Sequence, residues 1–134
     1  MTAGIARSRR RRALGIKTLL VSSGFTFFTE RLKERLALDY TLSNTLEIRD
    51  GKLTGKALAP IVDAQAKAAK LRELRDGLRL TRDQVIAIGD GANDLAMMAE
   101  AGVSIAYHAK PVVREKATYC FDYVGLDGLL NLYA

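Results

Sequence analysis

The sequence predicts an α/β fold with a parallel sheet and flanking helices. Short, continuously apolar runs recur at Thr18–Val21, Val85–Ile88 and Val103–Tyr107, the pattern of strands buried on both faces. They alternate with segments of helical spacing, as when crossover helices join parallel strands. Two polar, glycine-bearing loops, Ser22-Ser23-Gly24 and Gly89 to Asp94, fall directly after such runs. The carboxyl ends of parallel strands are where such sheets carry their chemistry.

Taken in order, Thr18–Val21 reads as a strand stopping at Ser22-Ser23-Gly24. From Thr26 to Leu38, Phe28, Leu32 and Leu36 recur at helical spacing, with charged residues between them. This predicts an amphipathic helix with Thr26 as its cap. Asp50-Gly51 separates two strand-like runs and predicts a β-hairpin over about 40–58, because both turn residues must tolerate positive φ. Asp63 opens a helix that Gly77 closes, and Thr81 to Gln84 has capping-box spacing. Val85–Ile88 is a strand, Leu95–Ala101 a helix stopped by Gly102, and Val103–Tyr107 another strand. A short helix from Pro111, a strand near Tyr119–Phe121 and a terminal helix over Asp127–Tyr133 complete the chain.

The 134 residues, 49% hydrophobic and 27% charged, have ordinary globular composition, which excludes collagen-like and largely disordered classes. No apolar run reaches the length of a membrane span. Cys120 is the only cysteine, so no internal disulfide forms, and a reducing cytoplasm is the expected compartment. His108 alone leaves no Cys/His zinc set. Residues 1–17 hold six basic side chains (Arg7, Arg9, Arg10, Arg11, Arg12 and Lys17) and no acid, while the rest of the chain has 15 basic and 15 acidic residues. The excess of +6 therefore lies in a basic N-terminal segment, 1–17, ahead of a folded region, 18–134. Because the body has no matching basic excess, this segment reads as an exposed terminal face rather than a nucleic-acid arm.

Gly89-Asp90-Gly91-Ala92-Asn93-Asp94 is the most informative string. Asp90 and Asp94 supply hard carboxylate oxygens and Asn93 an amide. Magnesium is held by one or two carboxylates with waters and substrate phosphate. Gly91 is expected to let the backbone turn sharply toward an anion. Ser22 offers a hydroxyl to a phosphate oxygen, and Lys67, one turn into its helix, offers a cation. Each alone is equally an ordinary strand end, cap or solvated lysine. Together they form one set: hydroxyl, cation, amide and a carboxylate pair for Mg²⁺.

With these residues in place, the chain resembles the phosphoserine phosphatases of the haloacid dehalogenase superfamily over about residues 14–130. Ser22 matches the second family motif, Lys67 the third and Gly89–Asp94 the fourth. Ser23 to Thr29, Ser43 to Ile48, Asp50 to Gly55 and Asp63-Ala64-Gln65 carry the narrower likeness. The resemblance implies a Rossmann-like parallel sheet and dephosphorylation of L-phosphoserine in serine synthesis. The implied route is an aspartyl-phosphate that water hydrolyses, with Mg²⁺ neutralising charge. It assigns Asp90 and Asp94 to the metal, and Ser22, Ser23 and Asn93 to the phosphate. Lys67 falls to the phosphoryl group and nucleophile.

The chain departs from that pattern. No Asp or Glu precedes Ser22, so the first-motif nucleophile is absent, as is the small cap that reads the serine moiety. Ser23 stands where the family usually has Gly. In the family fold the first-motif strand lies between the strands ending at Ser22 and Gly89, so its loss is expected to leave two strand edges unpaired. The sequence therefore reads as a C-terminal phosphatase portion, catalytic only with a missing N-terminal half. The alternative is a non-catalytic remnant or regulator that still binds Mg²⁺ or phosphate.

Overall fold

The computed structural model describes residues 13–132 and comprises two compact units, Met1–Asp63 and Ala64–Ala134. The arginine run at 7–12 lies outside the described residues, whereas Lys17 pairs with Asp39 at 3.7 Å.

In the first unit, β1 (Leu19–Phe25) leads into α1 (Thr26–Leu36) and then β2 (Tyr40–Asn44), which lies parallel to β1. The Asp39 carboxylate accepts from the Thr18 backbone N–H at 2.9 Å, tying the starts of the two strands together. The register runs from Leu19↔Tyr40 to Val21↔Leu42 and shifts before Phe25↔Asn44. Ser22, Ser23 and Gly24 occupy that irregularity, so the strand expected to stop at Ser22 instead runs on through it to Phe25, which pairs with Asn44.

Two expectations for this unit are corrected. Thr26 does not cap α1: Phe25 is the cap residue, and the Thr26 hydroxyl donates instead to the Asn44 carbonyl at 2.8 Å. The apolar spacing of α1 also does not mark its buried face, since Phe28 is 63% exposed and Leu32 is exposed. The buried residue is Thr29, whose hydroxyl shares a 2.7 Å hydrogen bond with that of Ser43.

The hairpin forms between β3 (Leu46–Arg49) and β4 (Lys52–Ala57), and Asp50 and Gly51 both have positive φ, +51° and +73°. It is shorter than the expected 40–58, because residues 40–44 belong to the parallel pair and the chain changes sheet at Thr45.

The second unit starts with α2 (Ala64–Gly77), immediately after Asp63. The Thr81–Gln84 capping box is present, with the Thr81 N–H donating to the Gln84 side chain at 2.9 Å. The strands β5 (Ile86–Gly89), β6 (Val103–Tyr107) and β7 (Tyr119–Phe121) form a parallel sheet in that order. Between them lie α3 (Leu95–Met98), shorter than the expected 95–101, and α4 (Pro111–Arg114). The expected terminal helix is a 3₁₀ helix, Leu126–Leu132. Ile105, Ala106 and Val113 are fully buried at the centre of this unit, with Ala87, Met97 and Met98 around them.

Among the described residues, β1 pairs only with β2, and β5 only with β6. Ile86 on β5 is 37% exposed, unusual for an apolar residue in a parallel strand.

Candidate active site

The second unit brings Lys67, Asp90, Asn93 and Asp94 together. Strand β5 ends at Gly89, the chain turns through Asp90 and Gly91, and a 3₁₀ turn (Ala92–Asp94) feeds α3. Asp94 folds back over this turn. Its Oδ2 accepts from the Asp90 N–H at 3.1 Å and the Gly91 N–H at 3.3 Å. Its Oδ1 accepts from Lys67 Nζ at 2.9 Å. Both side chains are buried, at 5% exposure for Lys67 and 11% for Asp94.

Burial alone would raise the Asp94 pKa, because it penalises the charged form. The Lys67 hydrogen bond, the two backbone donors and the lysine charge outweigh it, so the carboxyl is held below its usual value. Removing one member of such a buried pair strands the other charge.

The glycines do different jobs from those expected. Gly91 has φ −123° and ψ 164°, an extended conformation open to any residue, so it supplies no sharp turn. What it supplies is room: a Cβ there would lie 2.9 Å from Asn93 Oδ1. Gly89, which sequence reading passed over, matters more. A Cβ at Gly89 would lie 2.5 Å from the Asp94 Cβ, so the Asp94 carboxylate returns to the loop only because residue 89 has no side chain.

Asp90 and Asn93 differ from Asp94. Both are exposed, and neither side chain is held by a hydrogen bond among the described residues. The Asp90 backbone is fixed, since its carbonyl accepts from the Lys110 N–H at 3.1 Å. The loop thus combines an exposed carboxylate and an exposed amide with a buried ion pair. Glu100 braces the lysine helix, accepting from Arg72 at 2.6 Å and Arg75 at 3.1 Å. Their shared partner lies 25 or more residues away, so neither pairing has a local signal in the sequence.

Ser22 and Ser23 belong to the first unit. Ser22 Oγ accepts from the Gly24 N–H at 3.0 Å, which leaves its own proton to donate outward. The Ser23 hydroxyl faces the Val62 carbonyl at 3.4 Å, so this extra group has a partner of its own. Asn44, another residue that sequence reading missed, is 6% exposed and bonds on both sides of its amide. Its Nδ2 donates to the Ser23 carbonyl at 2.8 Å, and its Oδ1 accepts from the Val62 N–H at 2.7 Å. The available signal was a polar residue ending an otherwise strand-like run.

The resemblance gave Lys67 to the phosphoryl group and nucleophile; the structure pairs it with Asp94 of the glycine-bearing loop that follows β5. The profile of the haloacid dehalogenase-like hydrolases matches residues 1–99, and the chain belongs to that family. The similar proteins include phosphoserine phosphatases. That of Polaromonas sp. (strain JS666) is 52% identical over 122 residues, 88% of this chain and 52% of the relative. That of Vibrio cholerae is 50% identical over 118 residues, 88% of this chain and 36% of the relative. A solved phospho-aspartyl intermediate analogue of phosphoserine phosphatase superposes with a TM-score of 0.87 at 34% identity, covering 95% of this chain and 61% of that one. A substrate-bound phosphoserine phosphatase complex gives the same TM-score and identity, covering 95% and 60%. The chain thus spans about half or less of the length of these sequence relatives. No helix among the described residues is long and apolar enough to cross a membrane.

Proposed function

We propose that this chain is the C-terminal part of a Mg²⁺-dependent phosphomonoester hydrolase that converts L-phosphoserine to L-serine in the cytoplasm. The observation that carries this reading is the buried Lys67–Asp94 pair, 2.9 Å apart, in the same loop as the exposed Asp90. In this reading the folded region, 18–134, is a partial phosphatase core, and a first-motif strand and cap come from a segment outside these 134 residues. Two findings support it: β1 and β5 each pair on one side only among the described residues, and no acidic residue precedes Glu30.

The donor set suits magnesium in part. Both Asp94 oxygens are committed to N–H donors, so Asp90 is the direct ligand and Asp94 a support that fixes the loop around it. Among the described residues no group of three or more acidic, His or Cys side chains converges, which agrees with an ion completed by water, substrate phosphate and the missing segment. When bound, Mg²⁺ would neutralise charge developing on the phosphoryl oxygens.

The chain's own residues then divide the remaining work. The Ser22 hydroxyl, the Ser23 backbone and the Asn93 amide bind phosphate oxygens. Lys67, held in place by Asp94, stabilises charge on the phosphoryl group and the incoming aspartate. The phospho-aspartyl relative supports an aspartate as acceptor, and here that residue must come from the missing segment.

The test is complementation. The chain should release no phosphate from phosphoserine by itself. Co-expressed with the first-motif-plus-cap fragment of a related phosphatase, it should turn over at about 1–10³ s⁻¹, an ordinary enzymatic rate. A stable but inactive pair would favour the remnant reading, in which the loop still binds Mg²⁺ or phosphate without catalysis.

A further inference from the structure

We infer that Asn44 is a positioning residue that sets the Ser22–Gly24 loop for phosphate. The inference rests on the reading that this loop binds phosphate. Between Val21 and Phe25 the β1–β2 register shifts, so the regular ladder does not dictate where Ser22, Ser23 and Gly24 lie. Another device must hold them, and the Asn44 amide is the group in place to do so. It is buried, and it reaches Ser23 O at 2.8 Å with its donor and the Val62 N–H at 2.7 Å with its acceptor. Its own carbonyl takes the Thr26 hydroxyl at 2.8 Å, which fixes Asn44 to the start of α1.

The loop is thereby clamped from β2 through a single planar amide. With the Ser23 carbonyl drawn to Asn44 and the Ser23 hydroxyl turned to Val62, the peptide between Ser23 and Gly24 has one orientation. That orientation aims the Gly24 N–H at Ser22 Oγ and leaves the Ser22 proton to donate outward. A short side chain at position 44 removes both bonds. A carboxylate keeps the acceptor for Val62 but puts an oxygen against the Ser23 oxygen.

The experiment has two arms. In the first, amide hydrogen exchange is measured residue by residue on the full chain and on Asn44→Ala and Asn44→Asp. Exchange at Gly24 should rise about tenfold or more in both variants, on the scale of one lost hydrogen bond. Exchange at Val62 should rise only with alanine, and the β6 amides, such as Ile105, should not change. An unchanged Gly24 in Asn44→Asp, or a wild-type chain with no protection at Gly24, overturns the inference. If the alanine variant unfolds, the aspartate variant decides.

In the second arm, the reconstituted enzyme is assayed. Asn44→Asp should raise KM for phosphoserine and weaken inhibition by inorganic phosphate about tenfold. Lowering the pH should reduce the penalty, because a protonated carboxyl again donates to Ser23. A fall in kcat with KM constant means a smaller active fraction, and contradicts a positioning role. Ser22→Ala separates this inference from the reading beneath it. If Ser22→Ala leaves KM unchanged, the loop does not bind phosphate, while the exchange arm still judges whether Asn44 holds the loop.

Discussion

The Gly89–Asp94 loop follows a parallel strand, the Ser22–Gly24 segment interrupts the register of one, and they are held in different ways. The first is organised by its own residues: Asp94 caps the two amides that precede it, and one distant cation, Lys67, neutralises it. The second is organised from outside, by an amide on the next strand and by the segment before α2. A charged, self-contained loop leaves a contiguous string in the sequence. A neutral loop held by remote partners does not.

This difference accounts for what could be read beforehand. The parallel α/β architecture follows from apolar runs such as Val103–Tyr107, which lies between β5 and β7 with Ile105 and Ala106 fully buried. The Asp50-Gly51 turn was equally legible, because its positive φ values are a local demand. Legibility failed where a tertiary partner decides. Tyr40–Asn44 looks like a hairpin arm, yet Leu42 pairs with Val21 in a parallel ladder. Phe28 and Leu32 have the spacing of a buried stripe but are exposed, and the α1 face that is buried carries Thr29. The role of Asn44 has only a faint local signal, a polar residue ending a strand-like run, because both bonding groups of its amide are satisfied by residues at least 18 positions away.

The contrast is open to attack at several points. The largest expected effect is at the charged loop. In the reconstituted complex, Lys67→Ala should abolish phosphate release and lower stability by about 3 kcal/mol, since it strands a buried carboxylate. Urea unfolding measures this. Lys67→Ala,Asp94→Asn should recover part of the stability and none of the activity. If the single variant keeps wild-type stability, the pair is not the internal brace described here.

A smaller effect is expected at Gly89. Adding a Cβ 2.5 Å from the Asp94 Cβ forces the loop to move, so Gly89→Ala should cost roughly 1–3 kcal/mol, the usual range for overpacking. Gly91→Ala should cost less, because the obstacle there is the exposed Asn93 amide and the backbone is already extended. Equal losses at the two positions would erase the distinction between them.

The smallest effect is in pH dependence. The Asp94 pKa is depressed in the fold, so its ion pair adds stability above the unfolded-state pKa. That contribution should persist through neutral pH and fade as pH falls through and below the ordinary aspartate range. Unfolding midpoints measured from pH 7 down to acid should therefore fall less steeply for Asp94→Asn than for wild type. Parallel acid limbs would remove Asp94 as a source of that dependence. Ser22→Ala should leave the acid limb unchanged, since its loop holds no charge.

The central claim is that this chain supplies the charge-holding half of a phosphatase and not its nucleophile. The direct measurement is rapid quenching of the reconstituted pair with ³²P-labelled phosphoserine, followed by separation of the two denatured pieces. The label should be on the N-terminal fragment, as an acid-stable, base-labile acyl phosphate, with none on this chain. Its amount should fall in Lys67→Ala and Asp90→Asn. Label recovered on this chain, at Asp90, Asp94 or any other residue, would contradict the account.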